Sequence, residues 1–309
     1  MQYKGPPPLT WSHSSKNRFD TCRRRHFYHR FWSQDSQMRW KVYEMRCITT
    51  LAKLRGSVVH DILGGSLRGV RHGVDVDLQT AKDSVTEILR TKYQESYMRI
   101  WDSFEKRQGR KPSEICNLHE HYYNFTDVAD RTRDARNVAW TCLESAIGSD
   151  IWDSIVNSDP KKWMEIDEDD FPNFDLGGIK VYANIDFAHQ CDKPTIIDWK
   201  TGPKYPSDRK QLAVYSLYAK ARWDWKPTET TLVAAYLYPE YQLDAYVPEA
   251  GEVEEAADMI KRSFDEMLAL EPAFGNADIE NYPMTQDKRS CEWCRFRGIC
   301  GYETGDETP

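Results

Sequence analysis

Two carboxylates and an amine stand close together in the middle of the chain. The segment Ile179-Lys-Val-Tyr-Ala-Asn-Ile-Asp186-Phe-Ala is followed by Thr195-Ile-Ile-Asp198-Trp-Lys200-Thr-Gly202, and Gln190-Cys-Asp192-Lys-Pro194 between them has the composition of a turn. A hairpin centred on Asp192 sets Asp186 opposite Asp198. Side chains alternate along a strand, so Asp198 and Lys200 share a face. Like charges directly opposite one another destabilise a sheet, and the pair therefore calls for a cation. A hard divalent ion such as Mg²⁺ suits carboxylate oxygens. It also acidifies a bound water and stabilises charge on a pentacovalent phosphate. Lys200 would hold or activate the attacking water, or neutralise phosphate charge. These three roles fit phosphodiester hydrolysis. A lone Asp-x-Lys is common on solvent-facing polar hairpins, and spacing alone leaves that reading open. Ile196-Ile197 before Asp198 is a buried-strand signal that favours the functional one. Glu165, in Trp163-Met-Glu165-Ile, is expected at the surface.

A second constellation lies near the C-terminal end. Cys291-Glu-Trp-Cys294-Arg-Phe-Arg-Gly-Ile-Cys300 is a C-x2-C-x5-C pattern, and three thiols in ten residues suggest a metal or a cluster. The fourth ligand is open among Cys22, Cys47, Cys116, Cys142 and Cys191. Four thiolates serve Zn²⁺ as well as an iron–sulfur cluster.

The elements that must position these groups read as follows. Residues 11–46 carry Phe19, Cys22, Phe27, Tyr28, Phe31 and Trp32 among basic residues, an irregular amphipathic helix pattern. Residues 50–70 predict a second helix that ends at Gly64-Gly65 or at Gly69. Residues 75–160 predict several helices broken near Gln108–Pro112. Residues 162–200 predict three strands. A helix is expected over 207–223 with Asp208 in its first turn, a hairpin over Thr231–Tyr238 and Leu243–Val247, and a helix over 252–270.

Composition narrows the class. Forty per cent hydrophobic and 29% charged residues, with mean hydropathy −0.74, describe a globular chain and exclude a collagenous or disordered one. There is no apolar run to cross a bilayer and no signal-peptide block, so an exported protein is not expected. The predicted location is the cytoplasm, or a nucleoid or viral replication site. The net charge is −7, yet residues 1–60 hold twelve Lys/Arg against three Asp/Glu, a balance of +9 that leaves −16 for the rest. A basic segment on an acidic body still holds phosphates locally. Arg23, Arg24, Arg25 and Arg30 flank Cys22, and Arg289, Arg295 and Arg297 flank the later cysteines; they are candidate phosphate contacts, with Trp or Tyr to stack on bases.

Asp198-Trp-Lys200-Thr-Gly after an apolar strand resembles the third motif of RecB-like nucleases of the PD-(D/E)XK superfamily, and Asn184-Ile-Asp186 resembles the family's preceding acidic strand, without its proline. Gly56-Ser-Val-Val-His60 resembles the family's Gly-x3-His, whose histidine is a metal ligand, and Gln211-Leu-Ala-Val-Tyr215 resembles its Gln-x3-Tyr, which positions the lysine or DNA. The other seven histidines are expected to be ordinary. Phe19-Asp-Thr-Cys22-Arg-Arg-Arg-His resembles the aromatic, basic helix carrying the first cluster cysteine in iron–sulfur members, the CRISPR-associated exonucleases and AddB-type subunits, though Arg23 stands where proline is frequent.

The resemblance implies a mixed α/β restriction-endonuclease-like core, with a central sheet flanked by helices. It implies a 4Fe–4S cluster on Cys22, Cys291, Cys294 and Cys300 that links the N- and C-terminal regions. It implies Mg²⁺ or Mn²⁺ on His60, Asp186 and Asp198, with Lys200, Gln211 and Tyr215 completing the catalytic set. The expected division is 1–74 helical with the first cysteine and the histidine, 75–160 helical insert, 161–275 nuclease core and 276–309 cluster region. The expected function is DNA cleavage at single strands or ends, in processing, repair or CRISPR adaptation, with a helicase or CRISPR integrase as partner. The alternative is a non-catalytic DNA-binding iron–sulfur subunit.

Overall fold

The computed structural model describes residues 5–167 and 171–301. The last residues of the expected cysteine region, 302–309, lie outside the described residues, as do 168–170 within the expected strand region. The chain forms two compact units, each assembled from separate segments. One comprises Met1–Thr50, Lys92–Thr126 and Arg262–Pro309, the other Leu51–Thr91 and Asp127–Lys261.

The second unit is built on a mixed five-stranded sheet, in the order Gln242–Tyr246, Thr231–Tyr236, Pro194–Lys200, Phe187–Gln190, Trp163–Ile166. The hairpin register is the one the turn composition predicts: Phe187 pairs with Ile197, Ala188 with Ile196 and Gln190 with Pro194. Pro194–Lys200 runs parallel to Thr231–Tyr236, so a crossover is required, and the helix Ser207–Trp223 provides it. One face of the sheet carries Phe187, Ile197, Trp199, Val233 and Ala235. It packs on Val58, Val59, Leu63 and Leu67 of the helix Leu51–Arg71 and on Ala139 and Leu143 of Val128–Ile147. Alternation turns Asp198 and Lys200 to the other face, toward the crossover helix, which is buried without interruption from Leu212 to Ala219.

Three expectations are corrected here. The described residues of 162–200 hold five strands, not three, because Asn173–Leu176 and Ile179–Tyr182 form their own hairpin. Its two-residue turn, Gly177-Gly178, has φ of +62° and +88°, the left-handed pair that a tight hairpin demands. The helix expected to stop at Gly64-Gly65 or Gly69 runs to Arg71. Gly64 is there for space, since a Cβ on it would lie 3.1 Å from Asp167 Cβ. The helix closes one turn later, where Gly73 (φ +80°) lets Val74 N–H reach Gly69 O at 3.0 Å.

In the first unit the third correction applies. The pattern over 11–46 resolves into His13–Thr21, Arg23–Arg30 and Arg39–Arg46. The first break is Cys22 itself, extended at φ −163°. Its backbone N–H closes the first helix on Arg18 O at 3.2 Å, and its sulfur accepts from Arg25 N at 3.4 Å to open the next. Distant segments meet in two small aromatic cores, one of Val42, Met45, Ile48 and Phe296 and one of Phe27, Phe31, Ala277 and Tyr282. Polar bonds bind the same segments: Tyr28 Oη donates to Ile299 O at 2.9 Å, and Arg30 grips Glu271 with two bonds of 2.7 and 3.1 Å.

Candidate active site

The ladder of the hairpin ends at Phe187–Ile197, and Asp186 lies one step beyond it. Its carboxylate takes over where backbone pairing stops: Oδ2 accepts from Trp199 N–H at 2.6 Å. The other oxygen, Oδ1, is 2.9 Å from His60 Nδ1. His60 can approach because Gly56, one turn earlier, is bare; a Cβ there would sit 3.2 Å from Thr201 Oγ1. Arg55 fastens the same contact by donating to Thr201 O at 3.2 Å. Burial disfavours charge on His60. The carboxylates of Asp186, Asp198 and Asp167 outweigh it and lift the imidazole to about 9.

Asp198, buried, meets Lys200 Nζ at 2.7 Å. Burial and then Asp186 push its carboxyl upward against the pull of that ammonium. Burial likewise works against charge on Lys200, but Asp198, then Asp208 and Asp186, keep it above the ordinary lysine range. Lys200 Nζ donates on to Gln211 Oε1 at 2.7 Å, and Gln211 Nε2 donates to Tyr215 Oη at 2.6 Å. Burial, and then Asp198 and Asp186, keep the Tyr215 hydroxyl a phenol. Lys200, Gln211 and Tyr215 thus form a relay of hydrogen bonds that the Lys200–Asp198 ion pair anchors. Gln211 and Tyr215 can both take part because residues four apart share a helix face.

Thus the structure brings His60, Asp186, Asp198, Lys200, Gln211 and Tyr215 together within one unit. It also adds groups that the sequence left aside. Asp208 stands 3.9 Å from Lys200 and is fixed by Tyr205 N–H at 2.8 Å and Tyr236 Oη at 2.9 Å. Its only signal in the sequence was its place in a first helical turn. Asp167, whose N–H donates to Asp186 O at 2.9 Å, lies in the same electrostatic group. Glu165 is buried rather than at the surface and accepts from Tyr218 Oη at 2.8 Å.

In the other unit, Cys22, Cys291, Cys294 and Cys300 line one small cavity of about 20 Å³ together with Arg25 and Tyr28. All four are free thiols. Burial first, and then the other three cysteines, raise the Cys291 thiol.

Among the described residues no three His, Cys, Asp or Glu side chains already stand at ligand spacing around a single ion. At the carboxylates the reason is visible, because Lys200 and His60 neutralise them internally. The donor chemistry nevertheless fits a hard divalent cation: two buried carboxylates and an imidazole suit Mg²⁺ or Mn²⁺.

The model of the PD-(D/E)XK nuclease superfamily matches residues 10–301, and the chain belongs to that superfamily. Its type is therefore that of a nuclease, a phosphodiester hydrolase, and nucleases of this superfamily generally use Mg²⁺ or Mn²⁺. The mixed α/β architecture agrees with that membership. No curated protein matches the chain. A solved structure described as "Crystal structure of SSO0001" is similar at 16% identity over 70% of this chain and 84% of that one, with a TM-score of 0.30, too low to bear on fold or function. No helix among the described residues is long and apolar enough to cross a membrane.

Proposed function

We propose that this chain is a metal-dependent deoxyribonuclease that acts on single strands or DNA ends as an exonuclease, with His60, Asp186 and Asp198 as metal ligands. The observation that carries the reading is the relay Asp198–Lys200–Gln211–Tyr215 beside Asp186. A bound Mg²⁺ or Mn²⁺ would supply Lewis acidity and an acidified water. The chain's own residues do the rest. Asp186 is aimed by the Trp199 N–H. Gln211 and Asp198 hold the Lys200 ammonium in one orientation, from which it donates to a phosphate oxygen or to the attacking water. Tyr215 keeps its proton and, by accepting from Gln211, fixes the orientation of that amide. Preorganised donors of this kind need no rearrangement when charge develops.

Cys22, Cys291, Cys294 and Cys300 fit a four-thiolate cofactor, and the reading assigns them a 4Fe–4S cluster with a stapling role. A partner that exposes ends, such as a helicase or a CRISPR integrase, suits that activity, in the cytoplasm or at the nucleoid. The test uses anaerobically purified protein on single and double strands labelled at the 5′ or 3′ end, with Mg²⁺, Mn²⁺ or chelator, beside Asp198→Asn. Metal-dependent cleavage lost in the variant is the expected result. DNA binding without cleavage by either protein would replace this reading with a non-catalytic subunit. Visible absorbance distinguishes iron–sulfur from zinc.

A further inference from the structure

Seven arginines near the cysteines were candidate phosphate contacts, and the structure sorts some of them by what they already hold. Arg23 pairs with Glu266 at 3.4 Å, Arg24 with Glu280 at 3.8 Å and Arg30 with Glu271 at 2.7 Å. Arg25 and Arg295 hold no carboxylate among the described residues, and neither do Arg18 and Arg46, which the sequence did not single out.

These four converge within one unit. Arg18 and Arg25 lie on the two helices that meet at Cys22, Arg46 ends the helix Arg39–Arg46, and Arg295 follows Cys294. Arg295 Nη1 donates to the carbonyl of Arg46, and the Arg46 guanidinium stands 5.3 Å from the Trp32 ring. Arg46 Nε is buried with no partner. The crowding registers at Arg18. Burial, and then Arg25, Arg295 and Arg46, lower Arg18 to about 10, so it stays charged at neutral pH.

We propose that Arg18, Arg25, Arg46 and Arg295 form a binding site for a phosphate group, presented by the backbone of a nucleic-acid strand. Four half-buried like charges that hold no carboxylate oppose folding, and an anion reverses that sign. A phosphate matches the planar fork of guanidinium with paired hydrogen bonds. The strand as the source of the phosphate rests on the nuclease reading; the anion site itself does not.

The experiment has two arms on the full chain. In the first, melting temperature is followed against inorganic phosphate at constant ionic strength. Phosphate should raise it in the wild type. Arg18→Gln and Arg46→Gln should melt no lower than wild type without phosphate and should lose the phosphate-dependent rise. In the second, anisotropy of a labelled single strand is followed against salt with chelator present. The slope of log affinity on log salt should fall by about one per arginine removed. Arg23→Gln, already engaged by acids, should alter neither. Loss of the phosphate response with an unchanged salt slope would reassign the site to a free phosphate. A wild type that responds to phosphate but binds no strand would sink the nuclease reading and leave the anion site standing. Variants that keep the full phosphate response overturn the proposal, most clearly if they lose cofactor absorbance instead, since the arginines would then serve the thiolates.

Discussion

The two units treat charge in opposite ways. Around Asp198 every charge has found an opposite or a dipole: Lys200 sits between two carboxylates and an amide, and His60 is held charged by Asp186. Around Cys22 four arginines, Arg18, Arg25, Arg46 and Arg295, hold no acid among the described residues, and His26 and His29 are driven neutral, to about 3 and about 2, by burial and by Arg18 among other neighbours. The first arrangement stands by itself and needs only exchange of partners to act. The second is electrostatically incomplete. A site satisfied from within is poised for chemistry, whereas one left unsatisfied is poised for a ligand.

The largest effect expected on this contrast is at Lys200. Lys200→Met should lower cleavage roughly 10²–10⁴-fold, the range for a positioned proton-transfer group, while leaving strand affinity near wild type; an equal loss of affinity would erase the distinction between the two regions. Gln211→Ala should cost less, about 10–100-fold, as an orienting group does. Its signature is a fall in turnover with an unchanged KM, and a rise in KM alone would make Gln211 a DNA contact.

Acidification separates the regions by pH. His26 and His29 have folded pKa values below the ordinary histidine value of about 6.5, so the unfolded chain binds more protons beneath that pH. Their contribution is complete above about 6.5 and is lost as pH falls, by at most about 1.4 kcal/mol per unit for each. Asp244, lowered to about 2 by Arg209 and then Lys204, is lost only as pH falls below the ordinary carboxyl range. Melting followed between pH 7.5 and 5 should therefore show a decline that His26→Phe reduces; a flat profile in wild type contradicts it. The smallest effect is at adjacent glycines in the helix Leu51–Arg71. Gly65 faces open space, so Gly65→Ala should stabilise by about 0.5–1 kcal/mol. Gly64→Ala meets Asp167 Cβ at 3.1 Å and should lose that gain; equal melting temperatures for the two would show that the contact yields.

The hairpin was legible because alternation, a turn and a buried Ile-Ile pair fix register locally. Gln211 and Tyr215 were legible through the resemblance to Gln-x3-Tyr, and their four-residue spacing sets both on one helical face. Asp208 and Asp167 were not, since only tertiary packing carries them to Lys200 and Asp186, and nothing in their flanking residues differs from a surface aspartate. Glu165 misled for the same reason: its partner Tyr218 lies 53 residues away. The break at Cys22 was hidden because apolar spacing continues across it, and the interruption depends on backbone angles that spacing does not encode.

The three-segment make-up of the arginine-bearing unit has a consequence for synthesis. Its last segment begins at Arg262, after every strand of the five-stranded sheet has left the ribosome. At roughly 5–20 residues per second, Cys22 emerges tens of seconds ahead of Cys291. During that interval the nascent chain displays a reduced thiol and uncompensated guanidiniums to the surrounding solution, so this unit is completed last.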